Sequence, residues 1–316
     1  MDRNLALEVI RVTEAAALYA SRYMGRGDES LASSAAVDAM AKVFTSVSVD
    51  GRIVISADNE NGMLHAGSVV GNQTGLAVDI ALNPLEGKTT CANGGQNAIS
   101  AVAIGERGAF FNAPNIYMEK IAVGADAKGV IDITQPPDIN IKRIARAKGK
   151  YIEDLTICVL DRERHGKLID VIRGTGARIK LIQDGDISGA IAAAMEDKPV
   201  DILMGVGGAM HGILAAAALK CLGGDIQARF VYRDEDDREL ARRSGETDLE
   251  RIYSINDLAC GDNIMFSASG VTDGEFLPGV RFFSGGATTY SVVMRSKTHT
   301  MRFISATHHF DYKPIY

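Results

Sequence analysis

Charged residues and glycines follow three apolar runs in the second half of the chain. The runs LTICVL, RIKLIQ and DILMGV lead into DRERH at 161–165, DGD at 184–186 and a glycine-rich turn at 205–208. If the runs are parallel strands, their carboxyl ends meet at one edge of a sheet, where ligands bind. Arginines such as Arg162 and Arg164 form paired hydrogen bonds with phosphate oxygens, and helix N-termini favour anions. The pattern therefore predicts a site for a phosphate or a sugar phosphate.

The spacing of apolar residues predicts the elements that hold this site. Strand and helix alternate through the second half, which is typical of a parallel sheet with right-handed crossovers. Strands are predicted at 155–160, 178–183, 201–206 and 229–232, with helices near 165–174, through 191–195 and at 211–221 between them. The charged segment at 233–250 is predicted to be a solvated helix and loop.

The first half of the chain has a different spacing of apolar residues. Apolar spacing predicts helices at 3–24 and 31–46, then strands at 53–55, 76–82, 100–104 and 120–124. We therefore expect an α/β protein, with two helices and a mostly antiparallel sheet in the first half and a parallel sheet in the second. A polar stretch at 135–152 predicts a boundary between domains 1–150 and 151–316, leaving open that the C-terminal part packs back on the first domain.

Composition and charge exclude several classes of protein. The 316 residues carry a net charge of −6, which gives no broad field to attract nucleic acid or anionic lipid. No apolar run reaches the roughly 18 residues of a membrane span, and the N-terminus has no signal-peptide pattern. The four cysteines form no CxxC pair. We expect a reduced, cytoplasmic protein that binds neither nucleic acid nor membrane.

Eight strings make the chain similar to a known family, the class II fructose-1,6-bisphosphatases of the inositol-monophosphatase-like fold group. They are RVTEAAAL at 11–18, GRGD at 25–28, AVDIALNPLEG at 77–87, FNAPNIYMEK at 111–120, RERH at 162–165, QDGD at 183–186, GVGGA at 205–209 and DNIMFSASGVTDG at 262–274. The resemblance runs from about residue 2 to about residue 311. It implies a two-domain layered sugar-phosphatase fold and a dimer or tetramer. It also implies metal-assisted removal of the 1-phosphate from fructose 1,6-bisphosphate, and often from sedoheptulose 1,7-bisphosphate.

The residues that the resemblance assigns to sugar-phosphate binding are retained in this sequence. The most specific are Tyr117 in the APNIYMEK string and Arg162 and Arg164 in the RERH string. The full set expected to bind the ligand is Glu86, Gly87, Lys88, Tyr117, Arg162, Glu163, Arg164, Asp184, Gly185, Asp186 and Gly208. The sequence thus predicts a sugar bisphosphate as the ligand.

The metal-binding pattern of the family does not carry over. Four of the five carboxylate positions are replaced, and they are Ser33, Ala57, Asn83 and His211. Glu86 is the one ligand kept, and Lys88 stands where the family has its catalytic threonine. Because Mg²⁺ and Mn²⁺ prefer several carboxylate oxygens, we expect no cofactor and lost or weak hydrolysis. Lys88 could offset phosphate charge or be a surface lysine, and His211 could be a base or inert.

Three alternatives stay open. A rearranged site that uses Mg²⁺ or Mn²⁺ would need other acids, and Asp58, Glu60 and Asp79 are near in sequence. The chain could instead be a structural partner subunit of an active homologue. The string around His165 also resembles that of the histidine phosphatases, although the class II family has Arg-His here without using that mechanism.

Overall fold

The computed structural model describes residues 5–57 and 62–312. The chain forms two compact units, the first made of the residues up to Phe110 together with those from Gly261 onward, and the second made of Phe111–Cys260. The boundary expected at 135–152 lies inside the second unit, where Pro137 begins a helix. Proline suits the first turn of a helix because its missing N–H would have no helical partner there.

Within its described residues, the first unit contains three helices and four strands before the chain enters the second unit. In chain order these are α1 (Leu5–Ala20), α2 (Glu29–Phe44), β1 (Val49–Ser56), β2 (Val69–Val70), β3 (Leu76–Glu86), α3 (Lys88–Ala92) and β4 (Ile99–Glu106). The helices at 3–24 and 31–46 and the strands at 53–55, 76–82 and 100–104 were predicted from the sequence. A 3₁₀ turn at Ser21–Tyr23 separates the end of α1 from Gly25.

The second unit alternates strands and helices. Its elements are β5 (Tyr117–Val123), α4 (Pro137–Lys148), β6 (Thr156–Leu160), α5 (Gly166–Gly174), β7 (Arg178–Ile182), α6 (Asp186–Ala193), β8 (Ile202–Gly208), α7 (Ala209–Leu222), β9 (Asp225–Val231), α8 (Glu235–Arg243), β10 (Ile252–Ser254) and α9 (Ile255–Leu258). The chain then returns to the first unit as β11 (Met265–Gly270), β12 (Arg281–Phe283), β13 (Gly286–Arg295) and β14 (Thr300–His309).

The first unit is a mixed sheet covered by α1 and α2. The strand order is β12-β13-β11-β4-β3-β1-β2, with β14 paired to β13. Only the β1–β3 pair is parallel among the pairs described, so the prediction of a mostly antiparallel sheet holds. The helices bury apolar faces against the sheet through Val9, Val12, Met40 and Phe44. Asp28 caps α2 by accepting a 2.9 Å hydrogen bond from the amide of Leu31.

The second unit has a six-stranded sheet of order β10-β9-β5-β8-β6-β7. β6 is parallel to β7 and β8, as the alternation of strand and helix predicted. β5 lies between β8 and β9 and is antiparallel to both, so β9 runs in the same direction as β8. The α/β class is confirmed, and the strand predicted at 120–124 belongs to this sheet rather than to the first. In the part of the chain described, no helix is long and apolar enough to cross a membrane.

Candidate functional site

One edge of the second sheet collects the ends of four strands. β6, β7, β8 and β9 run in the same direction, so their carboxyl ends lie at this edge. β5 runs the other way, and its first residue, Tyr117, lies opposite Gly208 on β8 and Val231 on β9. The residues predicted at the strand ends therefore come together within the second unit, as expected of ligand sites in open α/β sheets. Glu86, Gly87 and Lys88, which were also predicted to bind the ligand, belong to the first unit.

Two arginines flank the ring of Tyr117. The guanidinium carbon of Arg164 lies 4.9 Å from the ring centre, and that of Arg233 lies 5.3 Å from it. Arg164 also donates a 2.8 Å hydrogen bond from Nη2 to the carbonyl of Val206, and Arg233 makes two 2.8 Å hydrogen bonds to Asp237. Guanidinium groups near an aromatic face are held by cation–π attraction, so this edge presents positioned positive charge.

Sequence reasoning missed Arg233, which was included in the solvated segment at 233–250. Its signal was available, because it comes two residues after the last residue of β9 and the same rule selected the loops after the other strands. Glu163 was predicted to contact the ligand, and it lies exposed in the short 3₁₀ helix Glu163–His165.

A salt bridge joins the loops after β6 and β7. Arg162 Nη2 lies 2.8 Å from Asp184 Oδ1, and Gln183 donates a 3.0 Å hydrogen bond to the carboxylate of Asp161. Both contacts are at the carboxyl edge of the sheet. They fix the position of the Arg162 guanidinium, which therefore loses less freedom when an anion binds.

His165 is a buried, neutral part of the scaffold. The amide of Val206 can only donate, so Nε2 accepts its 2.7 Å hydrogen bond and Nδ1 carries the proton that is donated to the carbonyl of Leu160 at 2.7 Å. Burial lowers the pKa of His165 below its ordinary value, and the nearby arginines and Lys120 add to this effect. Both ring nitrogens are used within the fold, which disfavours the histidine-phosphatase alternative.

Asp186, the first residue of α6, lies in the interior and joins Lys120 and His211. Its Oδ2 is 2.5 Å from Lys120 Nζ, and its Oδ1 is 2.8 Å from His211 Nδ1. Burial raises the pKa of Asp186, but the charges of Lys120 and His211 outweigh it and hold that pKa well below its usual range. Asp186 was predicted to contact the ligand. The structure places it beneath the edge, where it holds Lys120 and His211 in position.

Lys120 is a second residue that sequence reasoning missed. It is only 2% exposed although it lies in the middle of β5, and it also donates a 3.3 Å hydrogen bond to the carbonyl of Gly208. Gly207 makes room for the pair, because a Cβ there would lie 2.4 Å from Asp186 Oδ2 and 2.8 Å from Lys120 Nζ. A lysine inside an apolar strand was the available signal, since buried lysines almost always have a charged partner.

The four positions of the first unit that the resemblance assigns to metal ligands lie in α2, directly after β1 and in β3. Ser33 is half-buried in α2, Ala57 is exposed directly after β1, and Asn83 and Glu86 are buried in β3. β1 and β3 are parallel neighbours in which Ser56 pairs with Leu82, so Ala57 and Asn83 come next on adjacent strands. The register shifts between Asn83 and Glu86, as in a β-bulge.

The segment after β3 carries the two remaining predicted residues of this unit. Gly87 has φ +79°, a left-handed conformation that favours glycine, and it precedes α3. Lys88 is the first residue of α3 and is exposed. The turn that precedes α2 is held against the end of α3. The amides of Gly25 and Gly27 donate 3.0 and 2.8 Å hydrogen bonds to the carbonyls of Cys91 and Ala92, respectively.

The residues at these positions do not fit the divalent-cation site that the resemblance implies. The side chain of Ala57 has no ligand atom, and Ser33 and Asn83 offer only neutral oxygens. Glu86 is the single carboxylate at the four positions in this unit, whereas Mg²⁺ and Mn²⁺ prefer several hard anionic ligands. We therefore derive no chemical step through a metal ion.

Asp79 does not provide a replacement ligand. It is buried in β3, and its Oδ1 lies 3.1 Å from Nη2 of Arg52 and 3.1 Å from Nη1 of Arg107. The amide of Gly108 donates a 2.7 Å hydrogen bond to its other oxygen. These contacts make it a structural carboxylate. Asp58 and Glu60, the other two acids considered for a rearranged site, lie outside the described residues.

The two sheets and their helices make this an α/β protein, consistent with a two-layer sugar-phosphatase fold. Residues 3–308 match the family of bacterial fructose-1,6-bisphosphatases described as glpX-encoded, and the chain belongs to that family. The chain is 40% identical to the D-fructose 1,6-bisphosphatase class 2/sedoheptulose 1,7-bisphosphatase of Synechococcus sp. (strain JA-2-3B'a(2-13)), over 98% of this chain and 96% of that protein. It is also 40% identical to fructose-1,6-bisphosphatase 1 class 2 of Escherichia coli (strain K12), over 99% of this chain and 97% of the relative. The family resemblance seen in the sequence is confirmed.

Proposed function

We propose that this protein binds a sugar bisphosphate at the cationic edge of its second unit and hydrolyses it weakly or not at all. The proposed ligands are fructose 1,6-bisphosphate and sedoheptulose 1,7-bisphosphate, the sugars named for its relatives. The arginines of the sheet edge support binding, and the replaced metal ligands support the loss of hydrolysis.

The binding half is supported by the arginines at the sheet edge. Arg164 and Arg233 are held around Tyr117, and Arg162 is held by Asp184. A hydrogen bond between charged groups contributes about 1.5 to 3 kcal/mol to affinity. Two or three such bonds, together with the N-terminus of α6, are enough to hold a phosphate ester in the absence of a metal ion.

The loss of hydrolysis follows from the chemistry of phosphate esters. The slowest of these reactions need an acceleration of up to about 10²¹, which corresponds to about 29 kcal/mol. Positioning of the reactants contributes at most about 7 to 11 kcal/mol. Metal ions normally activate the attacking water and neutralise phosphoryl charge. Ser33, Ala57 and Asn83 replace the ligands that would hold such ions.

We also propose that the protein works in the cytoplasm as a homo-oligomer. The oligomer is an inference from the family. The reducing location is supported by the cysteines, none of which forms a disulfide among the described residues. Burial raises the pKa of Cys91 to about 11 and that of Cys158 to about 12, so both stay protonated at neutral pH.

Calorimetric titration with fructose 1,6-bisphosphate tests the binding half. The expected result is saturable binding with the same dissociation constant in EDTA and in Mn²⁺. Fructose is the matched control, because it presents the sugar without phosphate and should give no binding heat. Absence of heat at millimolar fructose 1,6-bisphosphate, or binding that appears only with Mn²⁺, would overturn the proposal.

A further inference from the structure

β14 is an outermost strand of the first sheet and is paired along one side only. β13 pairs with β14 along its whole length, while β12 and β11 share the other side of β13. Thr288 of β13, for example, pairs with Arg281 on one side and with Thr307 on the other. Within residues 5–57 and 62–312, no strand pairs with the second side of β14. The strand therefore presents a row of main-chain N–H and C=O groups to which a further strand can bind.

The other edges of the two sheets are short or charged. β2 has two residues, β10 and β12 have three each, and β7 has five and carries Arg178 and Lys180. Natural proteins protect sheet edges from other strands by such short edge strands and charges, and by prolines and bulges. β14 has ten residues, no proline, no register shift against β13 and one permanently charged side chain, Arg302. Among the described edges, β14 is thus the one suited to accept a further strand.

The side chains of β14 are accessible on both faces of the sheet. None of its ten residues is buried, and Phe303 is 53% exposed and Met301 37% exposed. Because side chains alternate along a strand, Phe303 and Met301 lie on one face and Ile304 lies on the other. Ile304 lines a cavity of about 490 Å³ together with Leu7 of α1, which is 59% exposed. Apolar side chains therefore flank the open edge on both faces, as is usual in the core of a protein interface.

We propose that β14 pairs antiparallel with β14 of a second copy of this chain, which joins two copies of the first sheet into one continuous sheet. The inference names the contact surface of the homo-oligomer proposed above and rests on that part of the proposed function. A strand that pairs antiparallel with its own copy is related to it by a two-fold axis, so the same groups are satisfied on both sides and the contact closes on itself. Pairing along the strand supplies about nine main-chain hydrogen bonds, close to the roughly ten of a typical protein interface.

The charge of Arg302 selects the register of this pair. A two-fold axis that keeps the corresponding faces of the two sheets together places one residue opposite its own copy. With Ile304 at that position, Arg302 lies opposite Ala306, and the two copies of Arg302 are about 14 Å apart along the strands at 3.4 Å per residue. This separation exceeds the Debye length of about 8 Å, so their repulsion is weak. An axis at Phe303 would bring the two arginines to about 7 Å, where they repel.

Light scattering coupled to size-exclusion chromatography tests the proposal on the full chain without ligand. The wild type should be oligomeric, and Ile304→Lys should halve its mass at the same protein concentration, because like charges directly opposite each other destabilise a strand pair. Val69→Lys is the matched control, since Val69 is 63% exposed on β2 at the opposite end of the same sheet and should keep the wild-type mass.

The outcomes separate this inference from the rest of the proposed function. A monomeric wild type would overturn both the homo-oligomer and its surface, and would leave the edge to a strand from another protein. An oligomeric wild type with an unchanged mass in Ile304→Lys would overturn the surface alone. Both readings are independent of whether the protein binds fructose 1,6-bisphosphate, because mass is measured in its absence.

A disulfide at the proposed axis tests the contact without adding charge. Opposed Cα atoms in an antiparallel pair are about 4.5 to 5.5 Å apart, which lies within the range of about 4.4 to 6.8 Å found in disulfides. Mild oxidation of Ile304→Cys should therefore give mostly cross-linked dimer on a non-reducing gel. The wild type and Val69→Cys, which keep the native cysteines, should run as single chains. An Ile304→Cys protein that cross-links no more than Val69→Cys would contradict the pairing.

Discussion

Arg164 is the residue through which the sugar-phosphate edge is most easily tested. Its guanidinium group is exposed, yet it is held by the ring of Tyr117 and the carbonyl of Val206. A charged group that is already oriented loses little freedom on binding, so most of its hydrogen-bond energy appears as affinity. This distinguishes it from the many surface arginines that contribute only to net charge.

Replacing Arg164 by Gln should weaken fructose 1,6-bisphosphate binding about ten- to a hundredfold. The estimate follows from the loss of about 1.5 to 3 kcal/mol when a hydrogen bond between charged groups is removed. Calorimetry in EDTA measures the change. Arg173→Gln is the matched control, since Arg173 is an exposed arginine in α5 of the same unit and should leave affinity unaltered. Equal losses in both variants would indicate a non-specific charge effect and contradict the assignment.

His165 should make stability depend on pH. Burial lowers its pKa in the folded protein below the unfolded value of about 6.5. Below pH of about 6.5 the unfolded chain binds a proton that the folded chain does not, so the free energy of unfolding decreases as pH falls toward the folded pKa. The carboxylate of Asp186, whose folded pKa is also lowered, is affected only at lower pH, below about 4.

Denaturant unfolding between pH 7 and pH 5.5 measures this effect. The wild type should lose stability over that interval, and His165→Gln should show a smaller pH dependence. His309→Gln, which alters an exposed histidine of β14, should keep the wild-type dependence. If the free energy of unfolding changes with pH equally in His165→Gln and the wild type, His165 is not a buried neutral side chain.

At the scale of elements, the turn from β8 into α7 determines how the site is built. Gly207 leaves space in which Asp186 on α6 and Lys120 on β5 meet. The same strand also packs closely against His165. A Cβ at Gly205 would lie 3.0 Å from Nε2 of His165. Glycines in β8 thus allow a helix start and a neighbouring strand to share one buried charge cluster.

Gly207→Ala should destabilise the protein by about 1 to 3 kcal/mol, the usual cost of overpacking. The added Cβ would separate a buried ion pair, so the loss should lie at the upper end of that range. Gly166→Ala is the matched control, because a Cβ at Gly166 in the first turn of α5 meets nothing within 4 Å. Urea unfolding compares the two. A Gly207→Ala protein as stable as the control would show that Lys120 and Asp186 are not packed as described.

The sequence predicted the elements that make the edge because strand direction follows from the alternation of strand and helix. That rule brings Arg162, Arg164 and Asp184 together from the sequence alone. It could not place β5, since antiparallel pairing between strands far apart in the chain leaves no local periodic signal. Lys120 is buried and Tyr117 lies at the edge because β5 is positioned between β8 and β9. Arg233 is exposed, as predicted for the charged run, and it was missed because a solvated charged run was not expected to contribute to a site.

The two units of the molecule differ in which of the family's expected site residues they contain. The second unit keeps its arginines, its DGD turn and its glycine turn. The resemblance implies that the first unit keeps the ligand Glu86 and has no carboxylate at the ligand positions Ser33, Ala57 and Asn83. An acidic chain of net charge −6 would repel a bisphosphate at long range, so local arginine placement must supply the attraction. At the scale of the whole molecule, we therefore propose that sugar bisphosphate binding is retained and metal-assisted hydrolysis is lost or weak.

Release of inorganic phosphate from fructose 1,6-bisphosphate in Mn²⁺ tests that claim most directly. The comparison is between the wild type and a variant with carboxylates restored by Ser33→Asp, Ala57→Glu, Asn83→Asp and His211→Glu, together with Lys88→Thr. We expect the wild type to release phosphate slowly or not at all relative to a protein-free control, and the restored variant to release it much faster than the wild type. Rapid release by the wild type that Glu86→Gln abolishes would contradict it.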